Sequence, residues 1–276
     1  MKKRYIVAFV VLVAIAADVF ALLYPTVSAY INSQNQSRAV ARYLDDVATM
    51  DSKDAQALLD AAHEYNERLL HKANRFAFSE EETAQYQRML DTGRGVMGIL
   101  VIGKIDVELP IYHGTDAGVL QVGLGHLQGS SLPVGGAGTH AIITGHRGLP
   151  SSTLLTDLNK MEQGDTFVLY VMGETLTYQV DQIETVQPQE LEALGIDSDK
   201  DYCTLVTCTP YGINTHRLLV RGHRIENALN IGWDDLHADA NRLDKTRVIV
   251  ICMIPVLLIL MVYAFIKARK IQKSAQ

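Results

Sequence analysis

The thiol of Cys208 lies where a short apolar run gives way to a loop, in the sequence TLVTCTPYGINTHR. The thiolate is the nucleophilic form of cysteine, and a cationic neighbour favours that form. Arg217 begins the next apolar run nine residues later, so both side chains can face one groove if the two runs pair as strands. An arginine at that place can donate hydrogen bonds to a developing oxyanion, although an isolated arginine is more often a solvated surface residue.

A histidine within hydrogen-bond reach of such a thiol can shuttle its proton. His146 is a candidate because it ends the apolar run HAIITGH, at the end of a predicted strand. The rival histidines are His113, His126, His140, His216 and His223. Most histidines are structural or solvated, so spacing alone leaves the choice among them open.

The sequence predicts neither a metal site nor a cofactor. No histidine pair has metal-ligand spacing on one helix and no CxxC motif occurs, which argues against zinc. Cys203 lies five residues before Cys208, so alternation along a strand puts their side chains on opposite faces and they are not expected to pair. Cys203 is interpreted as a small buried apolar residue, and Cys252, inside a long apolar run, as packing within a membrane.

The chain after residue 95 consists of short β-rich runs separated by Gly, Pro and Asp. The runs are MGILVIGKI, VELPIYHG, THAIITG, DTFVLYVM, ETLTYQVDQIETV, CTLVTCT and HRLLVRGHRI. Their length and spacing predict a mainly β fold, a closed or nearly closed barrel with LLTDLNKM as a short helical insert.

Residues 36–92 have the periodicity of helices, with apolar residues at three- and four-residue steps and no proline. Asp51 or Ser52 can cap the second of these helices. Ser79, followed three residues later by Glu82, predicts the capped start of another short helix.

Two long apolar runs lie near the two ends of the sequence, at residues 5–24 and 248–266. Each is about as long as the roughly 20 apolar residues that a helix needs to cross a bilayer. The first run has a second interpretation as a cleaved signal, because Val27-Ser28-Ala29 has the spacing of a signal-peptidase site and Asp18 is costly within a span. Both an uncleaved anchor and a cleaved signal therefore stay open.

Seven of the 25 lysines and arginines flank these two runs on their outer sides. The part between the runs holds 18 cations and 30 anions, a net charge of −12. Such a surface repels phosphate backbones, so no nucleic-acid partner is predicted. Because positive flanks stay cytoplasmic, the middle of the chain is predicted to lie outside the cell membrane and the C-terminal tail in the cytoplasm.

Two blocks of the sequence resemble sortases, specifically the class C, pilin-polymerising type. They are TLVTCTPYGINTHRLLVRGHR and IYHGTDAGVLQVGLGHLQGSSLPVGGAGTHAIITGHRGLPSS, and the likeness spans residues 96–225. The resemblance implies an eight-stranded sortase-type β-barrel and cysteine transpeptidation through a thioacyl intermediate. It matches Cys208 to the nucleophile, His146 in TGHRG to the catalytic histidine and Arg217 in NTHR to the catalytic arginine. His140 is left with a structural role.

The predicted domain organisation has six parts. A membrane anchor or signal segment at 1–29 precedes a helical region with a lid at 30–95 and the catalytic barrel at 96–226. A juxtamembrane segment at 227–247, a transmembrane helix at 248–266 and a basic cytoplasmic tail at 267–276 follow.

One stretch departs from the class C pattern, in which a lid with an Asp-Pro-aromatic motif usually precedes the barrel. The matching stretch here is Phe76-Ala77-Phe78, so Phe78 stands in the place of the aromatic residue while Phe76 and Ala77 replace the acid and the proline. A carboxylate able to pair with Arg217 is missing there. The hypothesis is a lid held by apolar contacts of Phe76 or Phe78, and so more weakly; the alternative is that both rings only hold helices together.

The predicted function is that of a membrane-anchored cysteine transpeptidase outside a Gram-positive-type cell. Its expected substrates are secreted pilin or surface proteins with an LPXTG-like sorting signal, and its expected acceptor is a lysine amine of a pilin subunit. Two alternatives remain. One is attachment of surface proteins to a cell-wall peptide amine by the same three residues, and the other is a non-enzymatic anchored scaffold with an inert thiol.

Overall fold

The computed structural model describes residues 2–149 and 152–227. The helices are α1 Lys2–Thr49, α2 Ser52–Leu70, α3 Glu80–Tyr86 and α4 Ala117–Val122. The strands are β1 Val96–Ile102, β2 Val107–His113, β3 Leu124–His126, β4 Thr139–Thr144, β5 Thr166–Val171, β6 Glu174–Val186, β7 Asp201–Thr209 and β8 His216–Ile225. Apart from Asn227, the predicted juxtamembrane segment 227–247, transmembrane helix 248–266 with Cys252, and tail 267–276 lie outside the described residues.

The eight strands form one closed barrel in the order β1-β2-β3-β4-β7-β8-β6-β5. Most neighbours are antiparallel, whereas β2 pairs with β3 and β4 pairs with β7 in parallel. The predicted eight-stranded, mainly β fold is therefore confirmed. Closure leaves no exposed sheet edge, so the loops at the two ends of the barrel are the natural positions for functional side chains.

The two faces of β7 belong to different apolar clusters. Cys203 and Leu205 point into the barrel and belong to its main core. Val206 belongs to a smaller cluster on the outer face, together with Leu219 of β8. Because side chains alternate along a strand, Cys208 shares the outer face with Val206 while Cys203 lies inside. The two thiols thus face opposite ways, as their spacing predicts.

α2 and α3 begin at the predicted caps. The Asp51 carboxylate accepts a hydrogen bond from the Lys53 N–H at 2.8 Å and starts α2. Ser79 and Glu82 form a reciprocal capping box at the start of α3. Each of these two helices buries apolar residues in the main core, and this packing fixes the helix to the barrel.

α1 is one continuous helix of 48 residues. Its C-terminal part packs Val40, Tyr43 and Leu44 onto the outer faces of β1 and β5. Among the helices in the described part of the chain, α1 is the one long and apolar enough to cross a membrane. Its most apolar 18-residue segment has a mean hydropathy of 1.5, and none of that segment is buried. Length and composition of this kind are shared by membrane anchors and signal segments.

The sequence analysis does not predict β3 or α4. β3 has only three residues, which is too short for an alternating pattern to show. Its position depends on parallel pairing with β2, in which Leu124 lies opposite Ile111. Both elements lie between β2 and β4 and lead the chain into the strand that precedes His146.

Candidate active site

Cys208 and Arg217 lie directly opposite each other in the antiparallel pairing of β7 with β8. Directly opposed residues share one face of a sheet, with Cβ atoms roughly 4.5–5.5 Å apart. The loop that joins the two strands is exposed, so the pair lies at the rim of the barrel on its outer face. The Arg217 guanidinium donates through Nη1 to the main-chain oxygens of Asn214 at 3.3 Å and His216 at 3.1 Å.

His146 reaches the same rim from β4. β4 and β7 pair in parallel with Thr144 opposite Val206, so two residues further along the chain His146 is level with Cys208. The pairing continues beyond β4, because the Gly145 N–H donates to the Val206 carbonyl at 3.0 Å. All three predicted residues therefore lie at one end of the barrel, and each is partly exposed.

The position of His146 depends on the residues around it. A Cβ on Gly145 would lie 2.6 Å from Leu124 Cδ2 and 3.0 Å from the Leu155 side chain, so there is no room for a side chain. The Leu155 N–H donates to the His146 carbonyl at 3.2 Å. Close packing before the histidine and a hydrogen bond at its own carbonyl together set the direction of this loop.

Two further residues shape the site, and the sequence analysis did not single them out. The Arg147 guanidinium donates to the Thr156 carbonyl at 3.1 Å and to the Thr209 hydroxyl at 3.2 Å, which joins the histidine loop to the end of β7. Tyr211 of the β7–β8 loop lies over Gly148, where a Cβ would be 2.9 Å from its ring. In the sequence, only the position of Arg147 beside the histidine in TGHRG points to such a role.

Cys203 and His140 lie apart from this rim and are buried. Burial raises the pKa of the Cys203 thiol well above its usual value, which keeps the thiol protonated. His140 donates from Nδ1 to the Gly195 carbonyl at 2.7 Å, and its Nε2 accepts from the Thr204 hydroxyl at 2.7 Å. Burial lowers the pKa of His140 to about 4, so its ring is neutral near pH 7. These are the surroundings of structural residues.

An apolar patch lies beside the three rim residues on the same outer face. It consists of Ile142 of β4, Val206 of β7 and Leu219 of β8, and Leu194 covers it from the β6–β7 connection. All four side chains are buried, so the patch is covered as it stands. A peptide beside the thiol would reach it only after Leu194 and the connection that carries it had moved away.

Phe76 and Phe78 lie beside the β3–β4 loop. A Cβ on Gly129 would lie 2.6 Å from Phe76 Cδ1 and 2.9 Å from Phe78 Cζ, so both rings pack closely on that glycine. The Arg75 guanidinium stacks on the Phe76 ring at 4.9 Å and donates from Nη2 to the Leu194 carbonyl at 2.6 Å. The segment that carries the two rings is therefore joined to the residue that covers the apolar patch.

Comparison with known proteins gives matches over the barrel. A family model described as "Sortase domain" matches residues 100–225, a range that includes Cys208, His146 and Arg217. The crystal structure of sortase C1 from Streptococcus agalactiae is 50% identical, with a TM-score of 0.67 over 69% of this chain and 100% of that chain. Sortase C of Streptococcus pneumoniae is 43% identical, with a TM-score of 0.64 over 70% of this chain and 100% of that chain.

Curated relatives match over a shorter part of their length. Sortase D of Bacillus subtilis is 30% identical over 138 residues, which is 49% of this chain and 66% of that protein. Across the curated relatives that match, the matched part covers between 47% and 66% of the relative. The chain thus spans about half to two thirds of the length of the curated relatives it matches.

Proposed function

The chain belongs to the sortase family, and from that premise we propose that it is a membrane-anchored cysteine transpeptidase. The observation that carries the proposal is the strand register, in which Cys208 is opposite Arg217 and level with His146 on the neighbouring strand. A thiol, an imidazole and a guanidinium at one rim are the groups that acyl transfer through a thioester requires.

In the proposed reaction, His146 takes the proton of the Cys208 thiol as the sulfur attacks the carbonyl at the cut site of a sorting signal. His146 returns that proton to the leaving amine as the C–N bond breaks, which leaves a thioacyl group on the sulfur. The incoming amine then loses a proton to His146 and attacks the thioester, the C–S bond breaks as the amide forms, and His146 returns the proton to the sulfur. Arg217 donates hydrogen bonds to the oxyanion in both tetrahedral stages.

We propose that the substrates are secreted pilin or surface proteins with an LPXTG-like sorting signal. The position of the apolar patch of Ile142, Val206 and Leu219 beside the thiol supports this, because displacing Leu194 from it would expose apolar side chains to the leucine and proline of such a signal. The 43% identity to the S. pneumoniae sortase C, which was described for its pilin substrate specificity, supports a pilin substrate. The acceptor in this proposal is a lysine amine of the next pilin subunit.

The proposed location is the outer face of the cell membrane. The exposed apolar part of α1 supports an N-terminal anchor, and the cations at residues 2–4 support a cytoplasmic start for that helix. The proposed topology puts the barrel outside the cell and the basic tail at 267–276 in the cytoplasm.

Competition between two acceptor amines tests this function. The full-length chain in detergent micelles would receive an LPXTG-like peptide together with equal amounts of a lysine-bearing pilin domain and a cell-wall peptide amine. We expect mass spectrometry to detect a thioacyl adduct at Cys208 and then an amide on the pilin lysine. Transfer to the cell-wall amine alone would favour the attachment alternative, and no adduct would favour the scaffold alternative.

We further propose that Phe76 and Phe78 form a lid held by aromatic contacts. Their packing on Gly129 and the link from Arg75 to the Leu194 carbonyl support this, since Leu194 covers the apolar patch. The lid would lack the acid that pairs with arginine in the class C pattern, so the contacts of the two rings and the hydrogen bond from Arg75 to the Leu194 carbonyl would hold it closed.

Replacing both Phe76 and Phe78 by alanine should speed the hydrolysis of a sorting peptide. Losing 1–2 kcal/mol of lid contact changes the closed-to-open ratio by about 5–30-fold, and the rate can rise by up to that factor. The control is Ala77→Ser, which changes the exposed residue between the rings and should leave the rate unchanged. A double variant with a lowered Tm but the parent rate would mean that the rings only hold helices together.

A further inference from the structure

α1 contacts the barrel at two levels along its length. Near residue 36, the Gln36 amide donates to the Val122 carbonyl at 2.9 Å and to the Ser152 hydroxyl at 3.1 Å. Seven residues later, the Tyr43 hydroxyl accepts from the Met172 N–H at 2.9 Å and contacts the Met97 carbonyl at 3.2 Å. These four contacts define the direction in which α1 runs along the barrel.

The two levels correspond to opposite ends of the barrel. We call the end where β4 and β7 terminate and β8 begins the catalytic end. Only Gly123 separates Val122 from the start of β3, and Ser152 follows the His146 loop, so Gln36 is at the catalytic end. Met97 is near the start of β1 and Met172 follows β5, and the pairing of these strands puts both at the far end. The N-terminal half of α1 therefore leaves the barrel at the catalytic end.

The apolar run of α1 stops close to this end. Tyr24 is the last residue of the run, and α1 stays helical from there to Gln36 with Pro25 inside the helix. Twelve residues at a helical rise of 1.5 Å correspond to about 18 Å. The catalytic end is therefore within roughly 20 Å, measured along the helix axis, of the point at which the apolar run ends.

Exposed apolar side chains are concentrated near the same end. Outside α1, the large apolar side chains exposed within the described residues are Val122, Leu191, Tyr211 and Ile213. Tyr211 and Ile213 are 61% and 68% exposed in the loop between β7 and β8, and Val122 is the last residue of α4. Tyr211 and Ile213 are two residues apart in one exposed loop, and exposed apolar side chains that occur together rather than singly indicate a contact surface.

We propose that the catalytic end of the barrel faces the bilayer in which α1 is anchored, with Tyr211 and Ile213 contacting the lipid headgroup region. This inference depends on the anchored state given in the proposed function. Aromatic and apolar side chains are favoured at that interface, where one end of the group is dry and the other is wet. The catalytic end would then bind sorting signals that are held close to the membrane surface.

Depth-dependent fluorescence quenching tests the orientation. The full-length chain with Cys208→Ala and Cys252→Ser would be reconstituted in vesicles of phosphatidylcholine and phosphatidylglycerol, and Cys203 is fully buried and stays unlabelled. One sample carries a fluorophore at Ile213→Cys and the matched control carries it at Glu174→Cys. Glu174 begins β6 at the far end, and the 13 residues of β6 extend roughly 40 Å along the tilted strand towards the catalytic end.

We expect a nitroxide on the lipid headgroup to quench the label at position 213 several-fold more than the label at 174. Equal quenching at the two positions, or stronger quenching at 174, would overturn the proposed orientation. Neither result depends on catalysis, because the nucleophile is absent from these variants.

A helix extension tests the consequence for substrates. Seven helix-forming residues inserted after Ile31 add about 10.5 Å, close to two helical turns, and so nearly preserve the helix face. With Cys208 intact, we expect slower cleavage of a membrane-tethered sorting substrate and an unchanged rate on a soluble sorting peptide. Equal rates of the parent and the extended protein on the tethered substrate would contradict the inference. If the parent cleaves neither substrate, the proposed function itself is contradicted.

Discussion

Replacement of Cys208 by alanine should abolish the thioacyl adduct with a sorting peptide. The adduct requires a sulfur at the rim, and Cys203 cannot substitute because it lies inside the barrel with no exposed surface and a raised thiol pKa. Mass spectrometry of the intact protein, followed by peptide mapping, would measure the adduct at each cysteine. The fold should be unaffected, since Cys208 is partly exposed on the outer face.

The matched control for that experiment is Cys203→Ala. It removes a buried thiol from the core and should lower the stability by about 1 kcal/mol, as core truncations commonly do, while adduct formation at Cys208 continues. An adduct that persists in Cys208→Ala, or disappears in a folded Cys203→Ala, would show that Cys208 is not the reacting thiol.

Replacement of Arg217 by lysine should lower the rate of adduct formation by about 10²–10³-fold, the usual effect of removing one oxyanion donor. Lysine keeps the positive charge but lacks the planar set of N–H groups that holds an oxyanion in a defined direction. The Cα of Arg217 is opposite that of Cys208, so the side chain is in a position to reach the reacting carbonyl. Stopped-flow measurement of acylation at saturating peptide would give the rate directly.

Arg224→Lys is the control for the guanidinium. Arg224 is on the same strand at the far end of the barrel, where it donates to the Thr175 carbonyl at 3.2 Å. Its replacement should leave the acylation rate within about twofold of the parent, because Arg224 is at the opposite end of the barrel from Cys208, although losing its hydrogen bonds to Thr177 and Asn227 should lower the stability. A similar fall in both variants would point to a general effect of charge, and an unchanged rate in Arg217→Lys would remove the proposed oxyanion role.

Several local features could be predicted because neighbouring residues in the sequence determine them. The alternation of side chains along β7 separates Cys203 from Cys208 whatever the partner strands are. The capping box of Ser79 and Glu82 lies within one helical turn, and the structure contains it as predicted. The facing of Cys208 and Arg217 also follows from a short hairpin once the two strands are recognised.

Other features could not be predicted because they depend on pairing between distant segments. β3 is recognisable only through its pairing with β2 and β4. Arg147 joins the histidine loop to Thr209 across 62 positions, and Gln36 joins α1 to Ser152 across 116 positions. Hydrogen bonds of this range leave no periodic trace in the sequence.

The sequence by itself determined the seven β-rich runs, the two apolar terminal segments and the identity of the groups able to react, because each rests on residue type and short-range spacing. Only the tertiary structure decided that His146 is level with Cys208 and that α1 leaves the barrel beside them. The reason is that the parallel pairing of β4 with β7 and the path of α1 over β1 and β5 exist only when the whole barrel closes.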